Sequence, residues 1–227
     1  DGTNQNDGIY ILLKEVIDNA IDEFIMGNGT QVDVELKEGR VKVRDYGRGI
    51  PLGKLVECVS QINTGAKYDD EVFQFSVGLN GVGTKAVNAL SEHFRVVSIR
   101  DGKMAEAIFE RGVLLKEKKG ATKTAVKNGT YVEFVPDTEV FGSYNFNEEF
   151  IEKRLWNYAY LNAGLTINYN DQKFVSNNGL LDLLKSEIDG ESLYPLGYYK
   201  GAQLEFSFTH SNAYGENYFS FVNEIGR

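Results

Sequence analysis

The chain has one cysteine, two histidines and three prolines in 227 residues. The lone Cys58 excludes an internal disulfide and fits a reducing compartment. Set in an apolar pattern, it reads as a core residue rather than a nucleophile. His93 and His210 lie far apart without ligand-like neighbours, which argues against a zinc centre and against a Ser-His-Asp triad. No run of about 18 apolar residues occurs, so no transmembrane helix is expected. The opening Asp1-Gly2-Thr3-Asn4 is polar and shows no signal-peptide pattern. Positive charge is also short: 24 Lys and Arg against 33 Asp and Glu give a net charge of −9. An acidic surface repels phosphate backbones, so direct nucleic-acid binding by this segment is not expected.

What is present is a soluble, globular composition, 42% hydrophobic and 25% charged, long enough for one large domain or two small ones. The most informative stretch is Glu15-Val-Ile-Asp-Asn19-Ala-Ile-Asp22-Glu23. Around it Ile9, Leu12, Leu13, Val16, Ile17, Ala20, Ile21 and Phe24 recur at helical spacing and predict an amphipathic helix over 8–26, closed by Gly27. Glu15 and Asn19 sit one turn apart beside that apolar stripe. Five oxygen-bearing side chains in nine residues could seat a hard cation and an activated water. The alternative is a solvated acidic face, with Lys14 paired to Asp18. The segments downstream decide between the two.

Period-two alternation predicts strands over 31–37 and 41–45, joined at Glu38-Gly39 as a hairpin. Residues 52–62 read as a helix, 63–83 as a long functional loop, and 84–90 as a helix. Strands are expected near 94–100, 104–110 and 130–135, a helix over 147–161, a strand over 165–169 and a short helix over 179–186. Two tail strands fall within 203–222. Helices and antiparallel strands mix without a βαβ rhythm, so the class is α+β, a sheet with helices on one face.

Three glycine clusters carry the chemistry. In Asp45-Tyr-Gly47-Arg48-Gly49-Ile50-Pro51 the glycines let backbone approach a flat ligand, and Asp45 at a strand end could accept from an exocyclic amine. Asn63-Thr-Gly-Ala-Lys67 offers a lysine to phosphate. Gly78-Leu79-Asn80-Gly81-Val82-Gly83-Thr84-Lys85 leads into a helix, where free N–H groups favour an anion. That last segment is a near miss to a P-loop, but its lysine and hydroxyl are transposed and it follows a loop rather than a strand. No dinucleotide fingerprint follows a strand either, which argues against a Rossmann fold.

Taken in order, EVIDNAIDE, DYGRGIP, NTGAKYDD, GLNGVGTKAVNALS and NGTYVEF resemble the motifs of the GHKL ATPases. Within them the chain looks like the ATPase domain of bacterial type IIA topoisomerase B subunits, gyrase or topoisomerase IV. The resemblance implies a Bergerat ATP-binding fold over 1–170. Residues 171–227 would hold the end of that domain and a truncated start of transducer-like strands. It implies ATP and Mg²⁺ as ligands. Glu15 would be the general base and Asn19 the Mg²⁺ ligand. Asp45 would accept from the adenine amino group, with Thr130 in the same water network. Gly49, Ile50 and Pro51 would line the adenine pocket, and Arg48, paired with Glu23, would pack over the base. Lys67 and Gly78, Leu79, Asn80, Gly81, Val82 and Gly83 would cover the phosphates. Arg100 would stand at the pocket mouth, where aminocoumarins bind in the family.

The same resemblance implies a second B subunit as an ATP-dependent partner in the full protein. The A subunit and DNA would be reached through the whole enzyme, not through this segment, and no membrane is involved. It also implies a cytoplasmic, nucleoid-associated location. The lid carries Asn80 where the family commonly has histidine. The family's N-terminal arm and its transducer lysine are not found, so an excised fragment is expected. Alternatives are another GHKL ATPase, MutL-like or chaperone-like, or a nucleotide-binding module without turnover.

Overall fold

The apolar stripe is buried as its spacing predicts. Ile9, Leu12, Leu13, Val16, Ile17, Ala20 and Ile21 all enter the core from helix α1 (Gln5–Ile25). The structure, a computed structural model, describes residues 5–60, 83–188, 197–200 and 205–209. After α1 come strands β1 (Gln31–Lys37) and β2 (Arg40–Asp45), a 3-10 turn (Leu52–Lys54) and helix α2 (Leu55–Ser60). Helix α3 (Gly83–Ala89) leads to β3 (Ser91–Arg100), β4 (Lys103–Glu110), β5 (Val113–Lys123) and β6 (Gly129–Pro136). A single turn α4 (Thr138–Phe141) precedes helix α5 (Glu148–Leu161), β7 (Thr166–Tyr169), β8 (Gln172–Val175) and helix α6 (Leu180–Glu187). Strands β9 (Gly197–Lys200) and β10 (Glu205–Phe208) form a separate antiparallel pair.

The main sheet has eight strands in the order β5-β4-β3-β6-β2-β1-β7-β8. Every neighbouring pair is antiparallel except β1 with β7. The class is therefore α+β with a mostly antiparallel sheet, as the sequence pattern implies. The register sorts side chains into rows across the sheet. Phe109, Phe94, Phe134 and Val41 make one row. Ala107, Val96, Val132, Val43 and Val34 make the next. All are buried, and α1 packs across them on β1, β2 and β6. Alternate residues point the other way, as a pleated strand requires. On that face Arg40 and His93 meet Glu133 at 3.2 and 2.8 Å, and Arg95 meets Glu106 at 2.6 Å. One face thus carries the core and helices, and the other is charged.

Three hairpins share one turn chemistry. Glu38-Gly39, Asp101-Gly102 and Arg111-Gly112 each place both residues at positive φ, which suits the right-handed twist of the flanking strands. The sequence pattern identified only the first. Strands β5, β8 and β9 and the turn α4 are additions to it. β5 is a lysine-rich edge strand whose pairing with β4 shifts register twice, so no clean alternation marks it. β8 is a four-residue edge strand with one buried side chain, Phe174. The expected helix over 52–62 is a 3-10 turn followed by α2 as far as Ser60. The expected loop over 63–83 lies, apart from Gly83, outside the described residues, and of the tail strands only β10 lies within them. Among the described residues no helix is long and apolar enough to cross a membrane.

Helix α5 begins at an Asn147 cap, whose side chain accepts from the Phe150 N–H at 3.2 Å. Asn147→Ala is expected to cost about 1 kcal/mol of stability. The check is a lower urea midpoint with an unchanged slope.

Candidate functional site

The site lies where the core rows turn polar. The row after Ala107–Val96–Val132–Val43 reads Ala105, Ser98 and Thr130. Asp45 follows, one residue past the β2–β6 pair of Arg44 with Tyr131. These positions face the same side as the core, yet three of the four side chains are small. Asp45 is only 7% exposed. Its Oδ1 accepts from the Gly47 N–H at 2.9 Å and the Thr130 N–H at 3.1 Å. Burial pushes its carboxyl up to about 7, against the pull of those two amides; the Glu23 charge adds to the rise and Arg44 opposes it.

The chain around Asp45 is pinned from both sides. Gly49 stands at φ +76°, and a Cβ there would come within 2.6 Å of the Ile99 carbonyl, so the loop needs glycine to lie flat on β3. Ser98, fully buried, donates to the Ile50 carbonyl at 2.5 Å. Pro51 is buried beneath the start of the 3-10 turn. Arg100, at the end of β3, has its Cγ 2.9 Å from the position a Gly49 Cβ would take. Thr130 was expected beside Asp45, and its main-chain amide makes the contact. Ser98 was missed, although a serine inside the apolar run Val96-Val-Ser-Ile99 breaks the core alternation and was the available signal.

Helix α1 supplies the second wall. Its end is closed by Gly27 at φ +84°, with Asn28 N–H on the Glu23 carbonyl and Gly27 N–H on the Phe24 carbonyl. That closure fixes Glu23, whose carboxylate receives the Arg48 N–H at 2.9 Å, Nε at 3.2 Å and Nη2 at 2.8 Å. Glu23 and Arg48 therefore meet as the motifs implied. One turn earlier, Asn19 Nδ2 donates to Thr84 Oγ1 at 2.6 Å. That commits the amide nitrogen and leaves the amide oxygen as the group available to a hard cation. One turn earlier again, the Glu15 carboxylate lies against Gly83, where any Cβ would strike it. Among the described residues Glu15 makes no hydrogen bond or ion pair. Asp22, on the same flank, is pushed up to about 6 by burial and by the Asp18 and Glu23 charges.

Helix α3, which carries Gly83 and Thr84, is tied to α2 by Asn88, buried and donating to the Val59 carbonyl at 3.0 Å. The structure thus gathers Glu15, Asn19, Glu23, Asp45, Arg48, Gly49, Ile50, Pro51, Gly83, Arg100 and Thr130 between α1 and one end of the sheet. Lys67, Gly78, Leu79, Asn80, Gly81 and Val82 lie outside the described residues. Among the described residues no three His, Cys, Asp or Glu side chains could hold a metal ion by themselves.

The family model for histidine kinase-, DNA gyrase B-, and HSP90-like ATPases matches residues 4–139. The chain is 59% identical over 224 residues to the B subunit of DNA topoisomerase 4 from Borreliella burgdorferi, covering 98% of this chain and 37% of that protein. It is 33% identical over 241 residues to the B subunit of DNA gyrase from Thermus thermophilus, covering 96% of this chain and 38% of that protein. The crystal structure of the 43K ATPase domain of Thermus thermophilus gyrase B in complex with an aminocoumarin is similar, with a TM-score of 0.75 and 31% identity. The match covers 89% of this chain and 56% of that one. The chain spans a little over a third of the length of these two curated relatives.

Asp45 gives the site a pH signature. Its carboxyl holds a proton up to about 7 when folded, against an ordinary value of 3.8. The folded state binds that proton more tightly, so the associated stability is full below pH 3.8 and is lost as pH rises through about 7. Asp45→Asn removes the titration. Urea midpoints of the unliganded chain should therefore fall relative to those of Asp45→Asn between about pH 4 and pH 7. A difference that stays flat across that range would contradict the assignment.

Proposed function

The chain belongs to the histidine kinase-, DNA gyrase B-, and HSP90-like ATPases, and from that membership we propose that it is the ATP-binding and ATP-hydrolysing domain of a bacterial type IIA topoisomerase B subunit. The observation that carries the reading is Asp45, a carboxylate buried on the core face of the sheet beside small residues. A buried acceptor flanked by the small side chains Ala105, Ser98 and Thr130 suits a flat base with an exocyclic amine, and Asp45 would accept from the adenine amino group. Gly49, Ile50, Pro51 and Thr130 would line that pocket, with Arg48 held over the base by Glu23. Arg100 would stand at the mouth, the position that an aminocoumarin would reach. Residues 1–170 would carry this unit, and 171–227 its end and the first transducer-like strands.

Hydrolysis follows from the helix. Glu15 would take a proton from water as its oxygen attacks the γ-phosphorus; the bond from that phosphorus to the β–γ bridging oxygen breaks, releasing ADP and phosphate. The amide oxygen of Asn19 fits Mg²⁺, because its nitrogen is already committed to Thr84. Mg²⁺, when bound, would supply charge neutralisation on the phosphates. Gly83 brings backbone against Glu15 without a side chain between them. Lys67 and Gly78, Leu79, Asn80, Gly81 and Val82 would cover the phosphates from the segment ahead of Gly83.

In the whole protein, ATP would close two B subunits and drive passage of one DNA duplex through another with the A subunit, in the cytoplasm at the nucleoid. A second reading is a nucleotide-binding module without turnover. The position of Glu15 against Gly83 favours turnover over that alternative.

Calorimetric titration with a non-hydrolysable ATP analogue and Mg²⁺ tests the site. Binding to the chain and its collapse in Asp45→Asn are expected. A folded chain that binds no nucleotide would refute the reading. Glu15→Ala should abolish phosphate release while sparing analogue affinity; turnover that survives the change would move the base elsewhere.

A further inference from the structure

Four carboxylates lie along α1 between residues 15 and 23; two of them are held by partners, and a third takes up a proton more readily than an ordinary aspartate. Glu23 is held by Arg48. Asp22 is pushed toward its protonated form by burial. Asp18 is held at both oxygens: Lys14 Nζ reaches Oδ2 at 2.5 Å, and the Tyr158 hydroxyl donates to Oδ1 at 2.6 Å. Tyr158 comes from α5, so the second contact ties Asp18 to a different helix. Burial and the Asp18 charge raise the Tyr158 hydroxyl far above its ordinary range, and it remains a donor at any working pH.

Asp18 adjoins Asn19 and lies at i+3 from Glu15, so its rotamers set how much negative charge stands beside the phosphates. A loose carboxylate there could take a cation from Asn19 and would repel a triphosphate. We propose that Tyr158 is a positioning residue: with Lys14 it holds the Asp18 carboxylate away from the metal and phosphate site, leaving Glu15 as the carboxylate that meets the attacking water. This rests on the nucleotide reading above and adds to it a residue outside every motif. The contact also uses a charge-assisted hydrogen bond, the stronger class, on an aspartate that takes no part in the proposed chemistry.

The test compares the chain with Tyr158→Phe, Asp18→Asn and the double variant, using calorimetry with adenosine and with the Mg²⁺-bound non-hydrolysable ATP analogue. Tyr158→Phe should bind adenosine as the unaltered chain does. Its analogue affinity should fall on the order of fivefold, since only the triphosphate meets the freed charge. Adding Asp18→Asn should restore that affinity, because the harmful charge is gone. Equal analogue affinity in the chain and Tyr158→Phe would overturn the proposal. So would equal losses in Tyr158→Phe and the double variant, or a loss shared by adenosine, since either marks a helix tether and no more. If the unaltered chain binds neither ligand, the nucleotide reading fails and this inference with it.

Discussion

Helix α1 buries one stripe against the sheet and carries four carboxylates between residues 15 and 23, and the handling of those charges shapes the site. A buried charge left unpaired carries a large penalty, and Glu23 is the buried one of the four. Arg48 takes up Glu23 with three hydrogen bonds. Lys14 and Tyr158 take up Asp18. Burial shifts Asp22 toward neutrality. Glu15, set against Gly83, is left without such a partner among the described residues.

The sheet contributes by ending its apolar rows early. Phenylalanine and valine rows give way to Ala105, Ser98, Thr130 and Asp45 on the same face. The register that stacks Val96 on Val132 and Val43 also brings Asp45 to the Thr130 amide. Core packing and ligand geometry are therefore one arrangement. A slip of one residue would move every core side chain, and Asp45 with them, to the charged face.

Much of this was legible in the chain. The α1 stripe, the β1–β2 hairpin, α3 and α5 follow from periodicity and turn residues, which act over a few positions. Edge strands β5 and β8 were not legible, because their side chains face solvent on lysine-rich or short segments and leave no burial pattern. The Asp101-Gly102 and Arg111-Gly112 turns mark the β3–β4–β5 meander with the same backbone geometry as Glu38-Gly39. Glu23 with Arg48 and Asp45 with Thr130 were anticipated through resemblance. Ser98 and Tyr158 belong to no motif and were not.

The sequence by itself determined the local elements, the acidic flank of α1 and the glycine positions where backbone must approach closely. Those depend on neighbours along the chain. Only the tertiary structure decided which oxygens are engaged and which remain available. Asn19 meets Thr84 across 65 positions, Asp45 meets Thr130 across 85, and Asp18 meets Tyr158 across 140. Such pairings arise because α1 must lie across β1, β2 and β6 to bury its stripe, and no periodicity along the chain records what waits on the other side.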